Sequence, residues 1–472
     1  MSPFQIQLRS EQRLLVVGFG CIGQGVLPLL LRHVDLRPEQ ISILTADENG
    51  RAVAAEFGVP FAIGRLTRAN YRSLLEPRLS AGDFLLNLSL DVSSVALVEW
   101  CQARGVSYLD TCIEPWAGHH LNASVAVEAR TNYALRESAL ALRSGRRSGP
   151  TAVLNHGANP GLVSHLLKQA LHNLAADSGH SIRVPAQRED WARLACDMGV
   201  KAIQIAERDT QVDAERKRVG EFVNTWSVDA FAGECCQPAE MGWGSHERHF
   251  PPKGRRHQQG CRSGIYLNRP GATTRVRSWT PLGGVMEGLL ISLGESIAIS
   301  DYLTIGEGER PHYRPTVYYA YQPCDDTVLS LQELAARNWQ LQANKRVLKR
   351  GITGGVDELG VLLMGPARGA YWYGSQLSIG QARALAPHNS ATSLQVAASV
   401  LAGVVWTLEN PNVGIVEPGE MDHRRILDIA LPYLGPMAGV YTTWTPLEGR
   451  GRLFEEDIDT ADPWQFKNFL VA

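Results

Sequence analysis

The stretch Arg13-Leu-Leu-Val-Val-Gly18-Phe-Gly20-Cys-Ile-Gly23-Gln-Gly-Val-Leu-Pro-Leu-Leu-Leu31 joins a short apolar run to closely spaced glycines and then to a second apolar segment. Leu14 to Val17 has no polar face, which predicts a strand buried on both sides. Val26, Leu29, Leu30 and His33 then recur at helical spacing. Strand, glycine turn and helix in that order are the context in which GxGxxG binds a dinucleotide. Gly18 permits the tight turn, Gly20 lets backbone approach a pyrophosphate, and Gly23 lets helix pack closely on strand. Cys21 and Ile22 lie inside the turn, and the helix N-terminus offers its free amides to the phosphates.

Working outward, a second strand spans 40–46 and ends beside Asp47. An acid there accepts from a ribose hydroxyl and favours NAD over NADP, with Thr45 as the other candidate for that contact. Two more buried strands are expected at 83–89 and 106–111, with a helix through 95–103 between them. Strand and helix alternating in this way build a Rossmann-type, doubly wound parallel sheet. Its polar strand ends, Asn87, Ser89, Asp110 and Thr111, are expected to line the ligand crevice. A polar break at 143–150 precedes Thr151-Ala-Val-Leu-Asn-His-Gly-Ala-Asn-Pro-Gly161, in which Asn155, Asn159 and the Pro160-Gly161 step make another strand-to-helix turn with exposed backbone amides, and Asn155 and Ala158 are expected at the cofactor. The expected division is an NAD-binding domain over 1–150 and a second α+β domain over 151–385 carrying substrate and a dimer surface. A segment at 386–430 should pack back on the first domain, because Ser390 to Trp406 reads as a helix apolar nearly all round.

With 472 residues, 44% hydrophobic and 20% charged, the chain can bury two or three cores, which excludes disorder. A net charge of -2 gives no footprint for nucleic acid. Neither a membrane span nor the residue order of a signal peptide is expected, so the chain is placed in the cytoplasm. Eight cysteines without CxxC pairs point to reduced thiols, and no ligand cluster for a metal ion is visible. Frequent glycines and aromatics after 180 suggest an antiparallel or mixed sheet of short strands.

Phe222-Val-Asn-Thr-Trp-Ser-Val-Asp-Ala-Phe-Ala-Gly-Glu234 sets Trp226 between Glu207 and Glu234. Packing explains most tryptophans. An indole face among carboxylates also suits an ammonium or iminium ion. Beside a dinucleotide domain, the second reading describes a dehydrogenase acting on an amine: a carboxylate removes a proton, and the ring stabilises the positive charge that forms.

GFGCIG at 18–23, YLDTC at 108–112, NHGANPG at 155–161, AERDTQ at 206–211, NTWS at 224–227, GWGSHE at 242–247 and SATSLQVAASVLAG at 390–403 together resemble the bacterial homospermidine synthases, of the saccharopine dehydrogenase-like group. The resemblance runs over nearly the whole chain. It implies a homodimer that uses NAD as a borrowed redox partner and joins two putrescines into homospermidine with release of ammonia; spermidine and diaminopropane are further candidate diamines. By the same resemblance Trp226 holds cationic intermediates, Glu207 and Glu234 bind amino groups and move protons, Asn159 positions the amine, and Asp110 and Thr111 lie near the cofactor. Glu295 is expected to hold an ammonium. One departure is Leu293, where the family carries a histidine two residues before that glutamate. Either proton transfer or substrate contact there is lost, or the position only packs. Two competing readings are a related reductase making saccharopine or carboxynorspermidine, and a catalytically silent NAD-binding protein.

Overall fold

The computed structural model describes residues 6–7, 12–120, 122, 124–143, 148–179 and 184–471. Residues 1–5 and 8–11, where a signal peptide would begin, and 144–147 of the polar break lie outside the described residues.

Leu14–Val17 is an inner strand of a seven-stranded sheet in which every neighbouring pair is parallel. All four of its residues are buried, as a strand covered on both faces requires. The spatial order is Val413–Val416, Gly149–Val153, Ser107–Asp110, Phe84–Asn87, Leu14–Val17, Ile41–Thr45, Phe61–Ile63. Apart from the outermost strand this is the doubly wound order 3-2-1-4-5-6. The chain direction across the sheet reverses between Leu14–Val17 and Phe84–Asn87, so a crevice opens at their carboxyl ends, beside Gly18 and Ser89. Gly18 has φ +84°, and a Cβ there would fall 2.7 Å from the Leu88 carbonyl oxygen.

The seventh strand comes from far along the chain. It follows helix Ala391–Glu409, which packs against the first helix, Cys21–His33, and also touches the second sheet. This helix is long and apolar enough to cross a membrane, and 89% of its apolar window is buried inside the protein instead. Ser390 caps it, its hydroxyl accepting from Ser393 N at 3.0 Å. Leu394, Val400, Leu401, Val404 and Val405 are wholly buried, each contributing about 1.5–3 kcal/mol. The helix therefore ties the two halves of the molecule together.

The second sheet has ten strands and is mixed. At its centre Ala202–Asp209 runs parallel to Thr316–Gln322 and antiparallel to Val356–Met364. Its strands reach eight and nine residues, longer than expected. Gly360 and Gly374 face each other inside the paired strands, where the Trp372 ring lies across Gly360. The final segment also belongs here: Met437–Thr442 pairs with Ala370–Ser378, and Phe466 and Phe469 are buried against the sheet.

Candidate functional site

A single cavity of about 1290 Å³ runs from the switch point of the parallel sheet to the face of the second sheet. Gly18, Gly20, Cys21, Ile22 and Gly23 line one end with Ser89, Thr111 and Ala158. A Cβ on Gly20 would meet no atom within 4 Å, so the backbone there stands open to an approaching phosphate. Thr45 and Asp47 both line the rim, where Asp47 accepts from Asn49 N at 2.8 Å. Arg65 and Arg68 line the same cavity.

Asn159, Glu207, Trp226 and Glu234 line the other end together. Glu207 alternates along Ala202–Asp209 onto the cavity face, directly across from Tyr321. Its Oε2 accepts from Tyr319 Oη at 2.7 Å and from Asn159 Nδ2 at 2.6 Å. Burial pushes its carboxyl up to about 8. Trp226 precedes the helix Val228–Cys236, whose cap is Ser227, and two turns of that helix carry Glu234 back to the cavity. The indole stands edge-on to Phe231, with ring centroids 5.9 Å apart. Glu234 is raised well above the ordinary carboxylate value, first by burial and then by Glu114 and Glu207.

Glu114 is a site residue that local sequence did not single out. It lines the cavity from the loop after Ser107–Asp110, and burial pushes its carboxyl up to about 7. Loops at the carboxyl ends of parallel strands are where such groups collect, which is the signal that could have found it. Tyr319 carries no comparable local signal, because only sheet pairing brings it to Glu207. Glu114, Glu207 and Glu234 thus share one cavity, and none has an ion-pair partner among the described residues. Raised together in this way, the three carboxyls favour their protonated forms when alone, and a cation among them favours their ionised forms.

Four expected site residues stand elsewhere. Asp110 is wholly buried: Oδ1 accepts from Asn155 N at 2.7 Å and Oδ2 from Tyr108 Oη at 2.9 Å, so it shapes the crevice from behind. Asn155 is turned the same way, its Oδ1 accepting from Ile113 N at 2.8 Å. Asn87 spends its Oδ1 on the Ser89 amide and hydroxyl. Glu295 does not line the cavity. It is 1% exposed and accepts from Gly161 N at 2.7 Å, Ser164 N at 3.1 Å and the Ser164 hydroxyl. The amides expected to be free at the start of helix Leu162–Asp177 are therefore taken by this carboxyl, and the turn bearing Asn159 is fixed by it. Leu293 is buried in the main hydrophobic core rather than facing the cavity.

Residues 14–153 match the family model of the saccharopine dehydrogenase NADP binding domain, and residues 157–442 match that of the saccharopine dehydrogenase C-terminal domain. A homospermidine synthase of Blastochloris viridis is 51% identical over 476 residues, covering 100% of both chains. The chain belongs to the homospermidine synthase family. A second homospermidine synthase, from Mesorhizobium japonicum, is 48% identical and covers 97% of this chain and 96% of its own. The crystal structure of homospermidine synthase from Legionella pneumophila in complex with NAD superposes with a TM-score of 0.93 at 46% identity, covering 99% of each chain. Saccharopine dehydrogenase of Saccharomyces cerevisiae shares the fold at 12% identity, with a TM-score of 0.50 over 91% of this chain and 100% of its own. Membership in the homospermidine synthase family accounts for the pairing of a parallel dinucleotide sheet with a carboxyl-rich second domain in one cavity.

Proposed function

We propose that the protein is an NAD-dependent homospermidine synthase that converts two putrescines to homospermidine and ammonia through imine intermediates. One observation carries the reading: three carboxyls without partner cations among the described residues, Glu207 buried and Glu114 and Glu234 half-buried, surround an indole at the far end of a dinucleotide crevice. That arrangement fits a substrate with positive charge at both ends. A reductase making saccharopine or carboxynorspermidine would need an arginine clamp for its carboxylates. The arginines of the cavity, Arg65 and Arg68, lie beside Gly64, near the rim that carries Asp47.

The glycine turn, Ser89, Thr111 and Ala158 would hold NAD, with Asp47 or Thr45 at the ribose, and bound NAD supplies a reversible acceptor for the hydrogen of the amine carbon. Glu207 takes the ammonium proton so that the nitrogen lone pair becomes available. Asn159 and Tyr319 orient that carboxylate. The face of Trp226 stabilises the iminium charge by about 0.5–2 kcal/mol. Glu114 and Glu234 hold the distal ammonium, and the second diamine displaces ammonia. A homodimer and a cytoplasmic setting complete the reading; eight unpaired thiols fit a reducing compartment. With NAD and putrescine the purified protein forms homospermidine and ammonia without accumulating NADH. Stoichiometric NADH would identify a simple amine dehydrogenase instead.

A further inference from the structure

Homospermidine formation requires more proton storage than one carboxyl provides. Each diamine enters with two ammonium groups. One proton leaves before the first carbon can be oxidised, and another leaves the amine of the second diamine before it can attack. Both return, one to the departing ammonia as ammonium and one to the new secondary amine, so charge balances. Glu207 holds one of the two.

Behind Glu207 lies a second pair of carboxyls. Asp209 is two residues further on the same strand, hence on the same face. Asp357 stands directly opposite it on the antiparallel neighbour. Both are buried. Burial raises Asp209, but its donors favour the anion: Oδ2 accepts from Thr225 Oγ1 at 2.7 Å, and Oδ1 from Gln211 N at 2.8 Å and Gln211 Nε2 at 3.1 Å. Asp357 has fewer donors: the Thr392 hydroxyl meets Oδ2, and the buried Oδ1 has no partner among the described residues, so burial favours its protonated form. Among the described residues, the groups packed around the pair are Glu207, Tyr321, Cys324, Gln211 and Thr225, and Thr392 and Gln395 from the long helix. None is a cation; Arg208 and Glu358, paired across the two strands, project from the other face.

The two carboxyls are joined by hydroxyls. Thr225 Oγ1 lies 3.5 Å from Thr392 Oγ1, so the row runs Asp209, Thr225, Thr392, Asp357. Thr392 lines the cavity with Glu207 and Trp226.

We propose that Asp209 and Asp357, linked through Thr225 and Thr392, form a proton store that takes up the second ammonium proton and returns it before product leaves. This rests on the homospermidine synthase reading. The proton of Asp357 passes to Thr392, that of Thr392 to Thr225 and that of Thr225 to Asp209, each O–H bond broken being matched by one formed. Asp357 is then reprotonated from the cavity through Thr392, and the reverse passage releases the proton. No electrons move along the row.

Thr392→Val keeps shape and removes the hydroxyl, whereas Thr392→Ser keeps the hydroxyl. The store predicts that Thr392→Val loses about tenfold or more in kcat, on the scale of a lost proton-transfer path, with KM for putrescine within about twofold of wild type. Thr392→Ser should recover most of the rate. An unchanged kcat in Thr392→Val, or an equal loss in both variants, overturns the store. Should Thr392→Val fail to fold, Asp357→Asn replaces it: a loss of kcat with NAD binding intact supports the store, and wild-type kcat overturns it. Wild-type protein that makes no homospermidine would instead sink the function reading, a separate result.

Discussion

Asn159 Nδ2 donates to Glu207 Oε2 over 2.6 Å, and this bond links the turn leaving the parallel sheet to the central strand of the second sheet. Glu207→Gln keeps size and loses the base, so kcat should fall about 10²–10⁴-fold with NAD affinity retained. Asn159→Ala leaves Tyr319 as the partner and removes a bond worth about 1.5–3 kcal/mol, roughly ten- to a hundredfold in kcat. Steady-state kinetics on both variants check the order; an Asn159→Ala loss exceeding that of Glu207→Gln would contradict it.

Trp226 should act through its ring face. Trp226→Phe retains a weaker quadrupole and Trp226→Ala none, so activity should fall in the order wild type, Phe, Ala. The span reflects about 0.5–2 kcal/mol from the cation contact, besides lost packing on Phe231. Equal activity in all three would remove the cation role.

The pH dependence has a definite sign. Burial pushes Glu114 and Glu207 up to about 7 and about 8 from an ordinary 4.5. When folded and without substrate they hold protons that the unfolded chain has released, so their contribution to stability falls as pH rises from about 4.5 through 8. A diamine supplies the missing positive charge and lowers both values. Binding should therefore release protons between about pH 6 and 8, tightening affinity by up to about tenfold per pH unit for each proton released. Calorimetry in buffers of differing ionisation heat reads this directly, and binding without proton release would be contrary to it.

Glu295 supports the Asn159 turn from behind, which makes its substitution a structural event first. In Glu295→Gln one amide N–H must face a donor of Gly161 or Ser164, costing about 1–3 kcal/mol and a few degrees of Tm. The accompanying loss should fall on kcat through displaced Asn159. A variant with unchanged Tm and a raised putrescine KM alone would place Glu295 in substrate contact instead.

The parallel sheet was legible because its signals are local: apolar runs, the glycine turn, and helix periodicity each occupy a few neighbouring residues. Glu207, Trp226, Glu234 and Asn159 were legible through chemistry and motif, and they do meet in one cavity. The direction in which a polar side chain turns was not. Asp110, Asn155 and Glu295 have the composition of site residues, yet each is turned toward backbone amides that require an acceptor. Such demands are set by tertiary contacts, as is the meeting of Asp209 with Asp357 across two strands nearly 150 residues apart.

The central claim is that hydrogen removed from one diamine carbon is returned within the same catalytic cycle. Putrescine deuterated at both terminal carbons, supplied with unlabelled NAD and excess unlabelled NADH, tests it by mass spectrometry of the product. The account predicts homospermidine that retains every deuterium. Product lacking one deuterium, with label in the NADH pool, would contradict it.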